Sequence, residues 1–221
     1  MTVRDRGALA AVAAGVAALT LAGLVACASR PAPDVGGDEA RRLATPSGSA
    51  SASSAGTEPT IPVASGDLPT DSRVPPTRLV IPRIGVTATV NPVGIDERSG
   101  DFAVPPSVDQ IGWYRYGPGL ETTAGSVVVA GHVDSAEQGK GAFFRLRELD
   151  RGDRMTVTGA DGRERAYQVV AREEYAKTKI PLDRYFARDG SPRLTLITCG
   201  GPFDSKTRHY RDNIVVTAVP A

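Results

Sequence analysis

Residues 77–221 break into short β-branched or alternating runs, most of them closed by proline, glycine or asparagine. Residues 78–81 end at Pro82, and residues 86–90 end at Asn91-Pro92. Residues 126–130 form an apolar run too short for a helix. Residues 154–158 alternate, turn at Asp161-Gly162 and resume at 166–170, which is a hairpin pattern with its turn chemistry in place. Residues 194–198 and 214–218 add two more strands. Helical periodicity is weak, and short helical turns are expected only at 143–149 and 182–186. Closely spaced strands of this kind predict an all-β domain, a closed barrel or a sandwich.

The region before this domain has a different character. Arg4 and Arg6 precede residues 7–28, which carry no charge. About 20 apolar residues cross a bilayer core, so this stretch fits an uncleaved anchor. It also fits a secretory signal, with a charged head, an apolar centre and small residues at its end. Leu24-Val25-Ala26-Cys27 resembles a bacterial lipobox, whose cysteine is lipidated after cleavage. Anchor and lipoprotein are both open, and either places the rest of the chain on the outer face of the membrane. Residues 29–76 are dominated by Ser, Ala, Gly, Pro and Thr and cannot bury enough surface to offset their conformational entropy. The expected organisation is therefore a signal or anchor at 1–28, a disordered linker at 29–76 and one folded domain at 77–221. With a net charge of +1 and an aromatic fraction of 5%, nothing points to nucleic acid as a partner.

The chain has two cysteines, and Cys27 belongs to the N-terminal stretch, so the domain holds one thiol without a disulfide partner. A lone thiol in an exported domain is a candidate nucleophile. Cys199 ends Leu194-Thr195-Leu196-Ile197-Thr198 and runs into Gly200-Gly201-Pro202, which reads as a strand giving way to a glycine turn. Of the two histidines, His132 emerges from the run 126–131, and a strand-end imidazole is placed to serve a strand-end thiol as base. Alternation puts Ser126, Val128, Ala130 and His132 on one face, and Thr195, Ile197 and Cys199 on one face. Ala130 and Ile197 are then expected to line a groove beside the pair. Acyl transfer also needs a donor for the tetrahedral oxygen, and Arg208 and Arg211 precede the strand 214–218.

These residues together resemble the sortases: His132 after Ala130-Gly131, Thr195-Leu196-Ile197-Thr198-Cys199, and an arginine before a valine-rich strand. Ile81-Pro82-Arg83-Ile84-Gly85-Val86, Gly112-Trp113-Tyr114, Gly131-His132-Val133-Asp134 and Tyr210-Arg211-Asp212-Asn213 fall in the matching order. The resemblance covers 77–218 and is nearest the actinobacterial classes F and E. It implies a closed eight-stranded β-barrel and a cysteine transpeptidase that cleaves an LPXTG-like sorting signal between Thr and Gly. An amine acceptor of the cell-wall precursor, or of another protein, resolves the thioester. Cys199 is the implied nucleophile, His132 the acid and base, and Arg211 the oxyanion clamp. Ala130, Ile197 and Thr198 border the substrate. Arg211 stands three residues before Ile214, where better-known sortases have two. Either a bulge re-aims Arg211 or Arg208 replaces it. The calcium-binding carboxylates of some sortases are not recognisable, so no metal and no cofactor are expected. Trp113 and Tyr114 are expected to pack in the core.

The rivals are of other classes. An L,D-transpeptidase would carry Ser-His-Gly-Cys, which is absent around Cys199. Papain-like peptidases place cysteine before histidine, which here would require His209 as the base. A tethered binding domain on an idle barrel would have no peptide cleavage at all.

Overall fold

A computed structural model describes residues 33–45, 73–96 and 101–221. Cys27 and the apolar stretch at 7–28 lie outside the described residues. Eight strands form a closed barrel: β1 (Pro76–Ile81), β2 (Val86–Val93), β3 (Ile111–Tyr114), β4 (Ser126–Gly131), β7 (Arg154–Gly159), β8 (Glu164–Ala176), β9 (Arg193–Asp204) and β10 (His209–Pro220). Their order around the barrel is β1-β2-β3-β4-β9-β10-β8-β7, and β7 closes onto β1. Two pairings are parallel, β2 with β3 and β4 with β9. A separate two-stranded ribbon, β5 (Asp134–Ser135) with β6 (Gly139–Lys140), follows β4.

Alternation along the strands decides what fills the barrel. Val127, Val129, Leu194, Leu196, Ile214 and Val216 point inward and are almost fully buried. Trp113 joins this interior core, and its indole N–H donates to the Pro118 carbonyl at 3.1 Å. The alternate residues are also covered, so β4 is buried on both faces. Tyr114, Val128 and Val215 on the outer face pack under Ile180, Tyr185 and Phe186 from the β8–β9 connection. Phe186 meets Tyr114 edge-on, with ring centroids 5.2 Å apart, and Phe102 from the β2–β3 connection lies 6.2 Å from Phe186. Full burial of each such side chain is worth about 1.5–3 kcal/mol. This second apolar layer holds two connections against the barrel wall.

Three expectations from the sequence change in detail, and one strand is added to them. Asn91-Pro92 does not end β2, which runs on to Val93. Pairing with β1 has stopped at Thr89, and Pro92 pairs only with β3, so its missing N–H disrupts nothing on the other side. Ile111–Tyr114 is a strand of four buried residues and so shows no alternation to read. Cys199 is not at the end of its strand, because β9 continues to Asp204. Gly200 and Gly201 make that possible. A Cβ on Gly200 would lie 2.6 Å from Ile214 Cγ1, and Gly201 has φ 69° with the Asp212 carboxylate where its Cβ would be. Finally, part of the expected linker is ordered: helix α1 (Gly37–Ala44) packs on β8 with Ala40 buried. Its composition is polar, and only the barrel surface supplies what it lacks.

Two of the left-handed glycines, Gly162 and Gly201, differ in a measurable way. Gly162, in the β7–β8 turn, has φ 75° and open space around it. Gly162→Ala is expected to cost about 1–2 kcal/mol from backbone strain alone. Gly201→Ala adds a collision with Asp212 and is expected to lower the urea or thermal midpoint further than Gly162→Ala.

Candidate active site

The chemistry-bearing side chains come from three neighbouring strands, His132 just past the end of β4, Cys199 within β9 and Asn213 within β10. β4 and β9 run parallel with Ala130 opposite Ile197, so two residues further along each chain lie His132 and Cys199. Thr198 faces the barrel interior, and its buried hydroxyl donates to the Gly131 carbonyl at 2.8 Å, tying the two strands together just before the site. Deeper in the same pair, Ser126 and Thr195 share a buried hydroxyl–hydroxyl hydrogen bond of 2.7 Å. Across the other edge of β9, Asn213 of β10 pairs with Cys199.

His132, Cys199 and Asn213 open onto a cavity of about 650 Å³. It lies outside the barrel, between the β4–β9–β10 wall and the two covering connections. Ala130 and Ile197 form its floor, with Phe102, Val104, Ile180, Leu182 and Phe186 around them. Polar groups on its walls also include Asp101, Lys177, Thr207 and His209. Strand parity pairs Ala130 with His132 and Ile197 with Cys199, and the structure brings all four to one cavity. Thr198 borders it as well, with its hydroxyl already committed to Gly131.

The imidazole is oriented. His132 Nε2 lies 2.9 Å from the Pro105 carbonyl, and a carbonyl only accepts, so Nε2 carries the proton. Nδ1 is then the free lone pair, able to take and return a proton. A Cβ on Gly141 would overlap the His132 carbonyl, so only glycine lets the β6 end of the ribbon pass there.

A second, smaller cavity of about 90 Å³ meets the thiol from the other side, lined by Phe144, Arg147, Gly200, Gly201 and Tyr210 among others. The Tyr210 hydroxyl donates to Asp134 at 2.6 Å. That bond, then burial and the neighbouring negative charge, push the Tyr210 phenol up to about 12, so it stays a neutral donor. Tyr210, Asn213 and the aromatic pair Phe102 and Phe186 were not singled out as site residues in the sequence. For Asn213 the signal was available, since pairing of β9 with β10 puts it beside Cys199. Phe102 and Phe186 lie on connections, whose placement no periodicity reveals.

Arg208 and Arg211 line neither cavity. The register of β10 on β9 shifts between Tyr210 and Asp212, so Arg211 sits in a bulge. Its guanidinium donates to Asp204 at 3.1 Å, and its side chain is 66% exposed. The Asp204 carboxyl is held below its ordinary range by the Lys206 N–H, then by Arg211 and the Thr207 N–H. Arg208 occupies the β9–β10 turn at φ 57° and is exposed. Among the described residues it is the one non-glycine with positive φ.

A family model for the sortase domain matches residues 79–221. Sortase C-1 from Actinomyces oris superposes with a TM-score of 0.50 at 21% identity, over 65% of this chain and 72% of that one. A lid mutant of sortase A from Corynebacterium diphtheriae gives 0.50 at 20% identity, over 69% and 74%. Streptococcus agalactiae sortase C1 in complex with MTSET gives 0.50 at 19% identity, over 65% and 66%. Identities this low carry the fold alone. A comparison with curated proteins found no match. The family model spans the barrel from β1 to the end of β10 and takes in both His132 and Cys199, and the chain belongs to the sortase family.

Proposed function

We propose that this protein is an exported cysteine transpeptidase that cuts an LPXTG-like sorting signal between Thr and Gly and joins the acyl part to an amine of the cell wall. The observation that carries this reading is Cys199 and His132 on one apolar cavity outside the barrel, inside the matched sortase domain. In the first half-reaction the Cys199 thiol gives its proton to His132 Nδ1 and, as the thiolate, attacks the Thr carbonyl carbon, and a C–S bond forms. The C–N bond to Gly then breaks, and the departing amine takes its proton from His132 as general acid. In the second half an incoming amine gives a proton to His132, attacks the thioester and releases the thiolate. Ala130 and Ile197 contact the bound peptide. Arg211 leaves Asp204 and points its fixed donors at the tetrahedral oxygen. The N-terminal segment tethers the enzyme to the outer face of the membrane, by an anchor helix or through lipidated Cys27.

Purified protein is expected to cleave fluorescent LPXTG-like peptides at the Thr–Gly bond. Cys199→Ala and His132→Ala should each remove at least about 10³ of kcat. His209→Ala, whose side chain borders the same cavity, should keep most of it. Identical traces for wild type and Cys199→Ala across a panel of sorting peptides would sink the enzyme reading, and a silent His209→Ala would exclude the reversed cysteine–histidine order.

The arginine assignment is separable by kinetics. Arg211→Ala should lose about 10²–10³ in kcat, the usual consequence of deleting a donor to the oxyanion. Arg208→Ala should stay within about threefold. Asp204→Asn removes the resting partner of Arg211 and should leave kcat unchanged or raised. The opposite ranking of the two arginines would transfer the role to Arg208.

Mass spectrometry of the membrane fraction tests the tether. A diacylated N-terminal Cys27 identifies a lipoprotein, and an intact chain retaining residues 7–28 identifies an anchor. Protein recovered free in the medium with neither would contradict both.

A further inference from the structure

The matched domain begins at Leu79, yet residues 33–45 are built into the support of the cavity. β8 is paired with β7 only as far as Gln168, whereas β10 follows it to Ala176. The outer half of β8 is thus an open edge on one side, with backbone groups that need partners. Val35 supplies them, donating to the Arg172 carbonyl and accepting from the Arg172 N–H, both at 2.9 Å. The Asp34 carboxylate accepts the Glu174 N–H at 2.8 Å. Gly36 then turns at φ 71° flat against Val170, where any Cβ would overlap the carbonyl oxygen, and α1 follows.

The two ends of α1 meet two buried charges. At its N-terminal turn stands the Glu173 carboxylate, 2.9 Å from where a Cβ on Gly37 would be. Glu173 is 3% exposed and accepts hydrogen bonds from Tyr175, Arg184 and Tyr185. Arg184 and Tyr185 belong to the short helix α2 (Leu182–Tyr185) of the β8–β9 connection. At the other end, the Leu43 carbonyl is one of those a helix leaves open. It accepts from the Ser191 N–H at 2.8 Å and from Arg193 Nη1 at 3.2 Å. Arg193, 2% exposed, also donates to the carbonyls of Arg184, Asp189 and Ser191. A negative group at the start and a positive one at the end is the arrangement a helix dipole favours. The same two charges hold the connection that supplies Ile180, Leu182 and Phe186 to the cavity.

We propose that residues 33–45 are a strap that positions the apolar wall of the peptide groove, with Glu173 and Arg193 as its positioning residues. The strap sets affinity for the incoming peptide and does not touch the reacting atoms. This rests on the reading of the larger cavity as the acyl-peptide site. The segment that links the domain to its tether is thereby also part of what recognises the substrate.

The test uses the full chain with residues 34–44 replaced by a Gly/Ser stretch of equal length, alongside Gly36→Val, Arg193→Met and Arg193→Lys. Amide hydrogen exchange across residues 180–191 should speed up by at least about tenfold in the replaced chain and in Gly36→Val. KM for a sorting peptide should rise about tenfold while kcat and the rate of Cys199 alkylation stay within about twofold. Arg193→Lys should recover part of what Arg193→Met loses, and Arg42→Ala, on the exposed face of α1, should behave as wild type. Unchanged exchange and KM in a chain whose strap is gone would overturn the proposal, as would a fall in kcat and alkylation with KM intact. If the replacement loosened β4 and β9 as well, Gly36→Val, which keeps every other strap side chain, would decide by the same criteria. A wild-type protein that cleaves nothing would defeat the transpeptidase reading, and exchange at 180–191 would still decide whether the strap orders the wall.

Discussion

The site depends on the parallel pairing of β4 with β9. Only one register places Ala130 beside Ile197, and a shift of one residue would turn every side chain of β9 to the opposite face. Leu194 and Leu196 would then leave the barrel interior, and Ile197 and Cys199 would enter it. The apolar alternation therefore fixes the direction in which the thiol points. The Thr198 hydroxyl on the Gly131 carbonyl adds a local lock, because both atoms are buried and neither has water as a substitute. Leaving such a carbonyl without its donor typically costs about 1–3 kcal/mol. His132 follows that carbonyl directly in the chain, so the lock acts one residue away from the proposed base.

The barrel interior is packed with apolar side chains. The cavity exists because a second layer stands off the outer wall, and that layer is made of connections. Its apolar half is the cluster of Tyr114, Phe102, Phe186, Ile180 and Val215. Its polar half is the network around Glu173, where Arg184 lies 2.8 Å from the carboxylate and the carboxylate side chain is 4% exposed. A buried pair of this kind is weak support for net stability, since desolvation offsets its attraction, but removing one partner leaves an uncompensated charge. Its contribution is to geometry. It permits one placement of α2 against β8, and α2 carries the residues on which Leu182 and Phe186 depend for their position.

Much of this was legible from residues 77–221. The β7–β8 hairpin, the strands at 126–131 and 194–198, and the convergence of His132 with Cys199 all follow from local pattern and parity. The rest depends on contacts that a pattern does not encode. Ile111–Tyr114 is buried on both faces and includes a glycine, so neither alternation nor β-branching marks it. Gly200-Gly201 reads as a turn, yet it continues β9, because glycine lets two strands approach where Ile214 and Asp212 intrude. Residues 37–44 are polar overall, with only Ala40, Leu43 and Ala44 as a short apolar stripe, and they pack against β8 with Glu173 and Arg193 at their ends. The departure in arginine spacing was visible in the sequence, and the bulge at Tyr210–Asp212 is its structural counterpart.

Arg211 faces Asp204 and lines neither cavity, so the role proposed for it requires its side chain to move. A bulged residue is free of the strand ladder, so its side chain can be re-aimed without breaking pairs on either side. Its partner is a surface carboxylate already satisfied by the Lys206 and Thr207 N–H groups, and the Arg211 side chain is largely in water. Surface ion pairs of this kind contribute little, because water screens them and two side chains must be ordered to form them. A forming oxyanion in a site closed by peptide is screened far less, and one donor there is worth about 10²–10³ in rate. The difference favours transfer of the guanidinium from Asp204 to the tetrahedral oxygen only when a substrate occupies the groove. An arginine held in the strand ladder facing the thiol would lack that dependence, so in the proposed role the bulge would make the clamp conditional on substrate.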